Sequence, residues 1–420
     1  MTHRFARLRR FHFNRPQRIA VVLLALFLAQ GFWLISRQTL SDRDYQYARC
    51  GREMWEERSP LAGYFTSCGN IHDGVLAYRA AGLPLTLNLL VERGLDHFRK
   101  PEDRVVQMAG PQAAPLSTWE LRHQLPHILL LVRLPFLFAG FVLGAALWWV
   151  TRRLYGNLGG YTALALYCFS PAILKASITP GPEILAALGI FAGVYTCIGV
   201  AHAMQGPRRK PGSTATGLRR WGDMWRPRIV LLIASFGLAA AAHIAALPVV
   251  ALLGLLTMLW VAEGRRSQVL PVVLLACVGA LVVVFACYGF SPDAFSYLFR
   301  SAAGFLWLSR EPAAHFFGGL ANAGVTIACV AALILYFAFR RARYFGNTAP
   351  LFCAIVLLLL VTTGVPSSPW LWAQPLLFTF IAGVFADAYE GPRPRLAFAS
   401  GGAILALQAV FCVLALPGLI

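Results

Sequence analysis

Acidic residues are scarce in this chain: 18 Asp and Glu stand against 37 Lys and Arg, and charged residues make up only 13% of 420. A soluble domain carries about 25% charged residues, so the chain lacks the means to solvate a globular surface. Soluble-enzyme motifs are missing too. There is no Walker lysine loop, no G-x-G-x-x-G, no H-E-x-x-H and no G-x-S-x-G, which excludes the nucleotide, zinc-hydrolase and serine-nucleophile chemistries those patterns serve. No His/Cys/carboxylate cluster has metal-ligand spacing, so neither a metal nor another cofactor is expected. Cysteine is nearly absent outside apolar runs. Seven of nine (Cys168, Cys197, Cys277, Cys287, Cys329, Cys353, Cys412) lie within them, where a thiol behaves as a small apolar side chain.

What the chain has instead is hydrophobicity, at 58% of residues. About 20 apolar residues cross a bilayer, and eleven segments approach that length: 19–36, 128–150, 159–177, 184–204, 229–244, 246–262, 268–290, 316–339, 349–364, 370–388 and 396–416. The expectation is an all-α, polytopic helical membrane protein with about eleven transmembrane helices. Residues 1–18 form a basic tail, and 19–420 form one transmembrane domain.

The net charge of +19 raises the question of nucleic acid, and its location answers it. With the N-terminus in the cytoplasm, the inner segments hold 22 of the 37 basic residues and four acids, a net of +18 against +1 outside. That split follows the positive-inside rule. Nucleic acid is therefore not expected as a partner; anionic lipid is. The first apolar run is read as a permanent span, since no small-residue cleavage site follows "GFWLISRQTL". The C-terminus is expected outside, and 205–228 is expected to be a flexible, basic cytoplasmic loop.

The large outer loop, 37–127, carries the unusual chemistry. It opens with "SDRDYQYARCGREMWEERSP", a dense charged cluster against the end of the first span. Its "GVLAYRAAGLPLTLNLLVERGLDHF" suits an interfacial helix. A second outer segment, "SPDAFSYLFRSAAGFLWLSREPAAHF", is aromatic-rich and expected to hold a partly embedded helix. Cys50 and Cys68 are the two cysteines outside the spans, and an oxidising compartment permits a disulfide between them; two free thiols are the alternative.

Ionisable groups against a membrane are costly and point to function. The candidates are Asp42, Asp44, His72, Asp73, Arg79, Arg133, Lys175, Glu183, His243, Arg310 and Glu311. An outer carboxylate can deprotonate an acceptor hydroxyl, and Arg, Lys or His can hold a phosphate. Each also has a plainer reading. Arg133 and Lys175 can snorkel to the interface, His243 can be a neutral, backbone-bonded residue, Asp42 and Asp44 can sit in a solvated loop, and Arg310–Glu311 can be a surface pair.

Several stretches in order resemble the GT-C superfamily of polyprenyl-phosphate-sugar-dependent glycosyltransferases, particularly the bacterial branch related to protein mannosyltransferases. "DRDYQYARCGREMWEERS" is similar to that family's acidic motif after the first span, and "IHDGVLAYRAAGLPLTLNLL" to its H-P-P-L and A-x-L-P-L stretch. "VRLPFLFAGFVLGAALWWVTRRLYGN" looks like its second span. "CFSPAILKASITPGPE" follows its Ser-Pro and T-x-D-type motif as far as Thr179–Pro180, and "FGLAAAAHIAALP" places His243 where the family has Lys. The first acidic motif is commonly Asp-Glu where this chain has Asp42-Arg43-Asp44. Either aspartate is a counterpart, with Asp44 favoured by its distance to Gly51. The second acidic position reads Gly181, with Glu183 two residues on.

The resemblance implies sugar transfer from a polyprenyl-phosphate donor to an acceptor on the outer side of a bacterial inner membrane. Asp44 or Asp42 would be the base, Glu183 an acidic helper, Arg133, His243 and Lys175 phosphate-facing, and His72 a pocket residue. Two other readings stand beside it: a non-catalytic subunit of a membrane complex with the same fold, and a transporter or flippase, against which no internal duplication is visible.

Overall fold

Inside a bilayer the backbone finds no water, so an apolar chain must satisfy its N–H and C=O groups internally, and helices do so within one segment. The computed structural model describes residues 15–56, 74–98, 125–204, 217–262, 264–292, 295–296, 298, 306–309, 317, 319–362 and 369–420. Among them are thirteen α-helices. The chain enters through α1 (Arg15–Arg37), turns into α2 (Asp42–Glu56) and continues with α3 (Val75–Phe98) and α4 (Leu125–Cys168). Short α5 (Pro171–Ile178) leads into α6 (Glu183–Met204), α7 (Gly217–Ala242), α8 (Ala246–Val261) and α9 (Val269–Cys287). Strand β1 (Leu306–Leu308) precedes α10 (Ala323–Ala338) and α11 (Phe345–Leu359). Strand β2 (Leu360–Thr362), α12 (Pro369–Tyr389) and α13 (Pro394–Ala415) close the sequence of elements.

This is a multi-pass membrane protein. Among the described residues seven helical stretches are long and apolar enough to cross a membrane, against the eleven segments expected. The stretch numbered α4 holds two of the expected segments as two helices that meet at a kink, and the apolar parts of α7, α8 and α11 are each shorter than a full span. The kink is at Gly156, whose φ of 76° and ψ of −171° break the helical run. Glycine takes that left-handed φ without a Cβ clash. The third expected segment also stops early, at Cys168. There Ser170 accepts a hydrogen bond from the Ile173 N–H and Pro171 occupies the first turn, so a new helix begins.

Packing centres on α12, where 89% of the apolar stretch is buried, against 17% for α13. Trp372, Phe378 and Phe380 of α12 meet a core that includes Phe27, Phe136, Tyr167, Phe191 and Phe236. At one end of this core α2 lies along α3, and two glycines set their approach. A Cβ on Gly51 or Gly82 would overlap the backbone of the other helix. Arg79 fastens the pair to α9: its Nε donates to the Cys287 carbonyl at 2.6 Å, and its guanidinium sits 5.0 Å from the Trp55 ring.

Three expectations change. Residues 217–228 of the basic loop are not irregular but belong to α7, which begins well before its apolar part. In the second outer segment residues 292, 295–296 and 298 are helical as expected, but Leu306, Trp307 and Leu308 form a strand opposite Thr362, Val361 and Leu360 in an antiparallel pair. The expected span 349–364 correspondingly ends at Leu359, since Val361 and Thr362 are β-branched and pair with β1 instead of continuing the helix. Arg310, Glu311, His72, Asp73 and Cys68 lie outside the described residues.

Candidate functional site

The first turn of α2 is built by a short polar code, Ser41-x-x-Asp44. The Asp44 N–H donates to Ser41 Oγ at 3.2 Å, and the Ser41 N–H donates back to Asp44 Oδ2 at 3.0 Å. This reciprocal arrangement is a capping box with aspartate at the third helical position. Asp42 and Asp44 both sit in that turn, where the helix dipole favours negative charge.

Asp44 has no exposed surface, and Arg133 of α4 is its counter-ion. Arg133 Nε donates to Asp44 Oδ1 at 2.9 Å and Nη2 to Oδ2 at 2.6 Å, a fork matched to a carboxylate. Ser41 Oγ adds a third donor to Oδ2 at 2.6 Å. The other arm of Arg133, Nη1, donates to Gln38 Oε1. Gln38 Nε2 in turn donates to the Leu419 carbonyl at 2.5 Å. Burial works to raise the Asp44 carboxyl, but hydrogen bonds from Arg133 and Ser41, with the Arg133 charge, hold it below its ordinary value. Such a carboxylate is ionised, well bonded and weakly basic.

A second pair lies alongside. Arg43 Nη2 donates to Glu183 Oε1 at 3.1 Å, joining α2 to the first turn of α6. A side chain at Gly181 would overlap both partners. Glu183 thus folds back over the bare glycine. Arg43 also lies 5.8 Å from the Tyr47 ring, which stacks on Tyr78 of α3 at 4.1 Å. Burial pushes both hydroxyls above the ordinary tyrosine value, so they remain protonated donors.

The α7–α8 turn and the start of α3 close this end. A Cβ at Gly74, whose φ is 73°, would touch the Ala242 carbonyl and Pro182. His243 is fully buried, with its ring 5.4 Å from that of Trp372. Burial pushes its imidazole down to about 4, so it is neutral at pH 7 rather than the cation expected in the family's Lys place. Lys175 is exposed on α5, and Asp42 is exposed on α2. Among the described residues no ion pair forms to Asp42.

The candidates therefore separate. Asp44 and Arg133 are brought together, and Glu183 is brought beside Asp44's helix by Arg43. His243 is at the same end but uncharged, and no described contact joins Lys175 to the pair. Cys50 is buried on α2, and its expected partner Cys68 lies outside the described residues. Sequence reasoning missed Ser41, Gln38, Arg43, Tyr47 and Tyr78. Only Ser41 carried a local signal, the capping pattern. Among the described residues no three His, Cys, Asp or Glu side chains gather as a metal site would require.

No protein-family model and no curated protein matches the chain by sequence. Solved structures are similar. ArnT from Cupriavidus metallidurans in the apo state aligns with a TM-score of 0.56 and 16% identity, over 92% of this chain and 62% of that one. The same protein bound to undecaprenyl phosphate aligns at 0.50 and 16%, over 92% and 63%. The Archaeoglobus fulgidus oligosaccharyltransferase in the apo form aligns at 0.55 and 12%, over 96% and 56%. The chain spans less than two thirds of the length of each. At such identities the likeness is one of fold alone.

Proposed function

We propose that this protein is a membrane glycosyltransferase that moves a sugar from a polyprenyl-phosphate donor to a hydroxyl acceptor on the outer side of a bacterial inner membrane. The N-terminus would lie in the cytoplasm and the α2 end of the bundle outside. The observation that carries the reading is a set of acids and bases from α2, α4 and α6 meeting at one end of a GT-C fold. Support for the lipid donor comes from the similar fold of ArnT, a protein solved with undecaprenyl phosphate bound.

The roles follow from availability. Asp44 has both oxygens engaged and a depressed pKa, so it serves to lock Arg133 and the start of α2 in place. Asp42, two residues earlier and exposed, is the base in this proposal. It takes the proton of the acceptor hydroxyl as that oxygen attacks the anomeric carbon. The bond from that carbon to the donor phosphate breaks, and its electron pair leaves with the polyprenyl phosphate. Lys175 is the exposed cation for that phosphate, and Glu183 fixes Arg43 beside the base. Cys50 and Cys68, bridged, would brace the outer loop.

One observation favours a second reading. Asp44 and Glu183 are each neutralised by an arginine of the same chain, as in a site that holds shape without turnover. A transfer assay separates the two. Protein in liposomes is given radiolabelled polyprenyl-phosphate sugars and an extract of bacterial glycolipids. Turnover by the wild type that falls about 10²–10⁴-fold in Asp42→Asn, the usual worth of a general base, supports the enzyme. Specific polyprenyl-phosphate binding with no transfer from any donor establishes the non-catalytic reading.

A further inference from the structure

At the end of the bundle opposite Asp44, a groove of about 1020 Å³ opens between α10, α12 and α13. Its walls are apolar, with Ile334 and Leu335 on α10, Val384 and Phe385 on α12, and Ile404 on α13. Gly401 leaves room for the Tyr389 hydroxyl to close the floor. The mouth is charged: Arg341, Asp387, Glu390 and Arg393 line it.

Three of those four charges are already engaged. Arg341 pairs with Glu390 at 2.9 Å, and Asp387 accepts from Asn347 Nδ2 at 2.9 Å. Arg393 is exposed and makes no ion pair among the described residues, with Arg395 exposed beside it. An apolar cleft with an uncommitted cation at its rim fits an amphiphile with a negative head. The depth fits as well. From Arg393 to Ile404 the helix rises about 16 Å, close to half of a ~30 Å hydrocarbon core. The groove therefore runs the thickness of one leaflet, and a free phosphate compound would leave its walls bare.

We propose that the α10–α12–α13 groove is a binding site for an anionic glycerophospholipid, with an acyl chain along α13 and the phosphate on Arg393. The site is independent of the sugar-transfer reading, because it lies at the other membrane face and uses none of those residues. Occupancy would tie α13, the least buried of the seven span-length stretches, to the central α12.

The test uses full-length protein stripped of lipid by detergent exchange. It is titrated with phosphatidylglycerol, phosphatidylcholine and inorganic phosphate, and followed by native mass spectrometry and thermal unfolding. Phosphatidylglycerol is expected to bind one to one and raise the unfolding temperature, and photoactivatable phosphatidylglycerol is expected to label residues 394–404. Arg393→Gln should weaken phosphatidylglycerol about tenfold, the worth of one charged hydrogen bond, and leave phosphatidylcholine unchanged. Ser400→Phe with Ala397→Phe should fill the groove and abolish both labelling and the shift. Arg393→Gln sits on the surface, so its result stands if the filled variant fails to fold. Equal binding of the two lipids, wild-type affinity in Arg393→Gln, labelling outside α10, α12 and α13, or equal stabilisation by inorganic phosphate overturns the proposal.

Discussion

Replacing Asp44 by Asn tests whether this carboxylate holds the structure or works on substrate. The substitution keeps the shape and removes the charge that faces Arg133, which is itself 5% exposed at its side chain. One amide oxygen can accept a single arginine N–H, and in either orientation the amide NH₂ is turned against the other, Nε or Nη2 of Arg133. Breaking a buried pair from one side leaves an uncompensated charge and costs about 3–5 kcal/mol. Arg133→Met should cost about the same from the other side. The double variant Asp44→Asn/Arg133→Met removes both charges, so its loss should fall short of the sum of the single losses by about 3 kcal/mol, a strong coupling. Reversible unfolding in mixed micelles gives these numbers. The pH dependence gives a second handle. Asp44 is depressed when folded, so its contribution is full above the unfolded value of about 3.9 and is lost as pH falls through the folded value. Asp44→Asn should lack that acid-side loss. If Asp44→Asn unfolds within about 1 kcal/mol of wild type and the cycle is additive, the pair is not structural, and Asp44 returns as a base candidate.

Further outcomes are expected. His243, depressed to about 4, should make stability fall as pH drops from about 6.5 towards 4; His243→Gln should flatten that part of the unfolding profile, and an unchanged profile would refute a buried neutral imidazole. Non-reducing peptide mapping should recover Cys50 joined to Cys68, with reduction lowering stability by about 3 kcal/mol for a loop of this length; two alkylatable thiols in unreduced protein would exclude the bridge. Cysteines placed in 208–214 should react with impermeant reagents only from the cytoplasmic side; reaction from outside would invert the topology and move the acidic cluster inside.

The helical membrane class was legible because span length and loop charge are local properties of the chain. The starts and ends of α1, α6, α9 and α12 follow from them. Boundaries failed where a local rule yielded to backbone partners elsewhere. Leu360–Thr362 reads as the end of a span until β1 offers it a ladder. The site was half legible for the same reason. Ser41 and Asp44 are three residues apart, and the capping pattern could have been read. Asp44 and Arg133 are 89 residues apart, and Arg43 and Glu183 are 140 apart. Nothing in the sequence states that those charges cancel each other.

The glycine crossing of α2 and α3 has a mechanical meaning. Gly51 and Gly82 touch backbone to backbone, so the crossing acts as a fulcrum, and the nine residues from Gly51 back to Asp42 form a lever about 13 Å long. A wedge that tilts this lever by about 10° displaces its tip by about 2 Å, more than the whole 2.6–3.2 Å window in which a base can take a proton. The Asp44–Arg133 pair clamps the lever near its tip, and the glycines fix where it turns. One methyl group at the fulcrum is thereby geared up into a misplacement at the tip that chemistry cannot tolerate, although no atom of the exposed carboxylate has been altered.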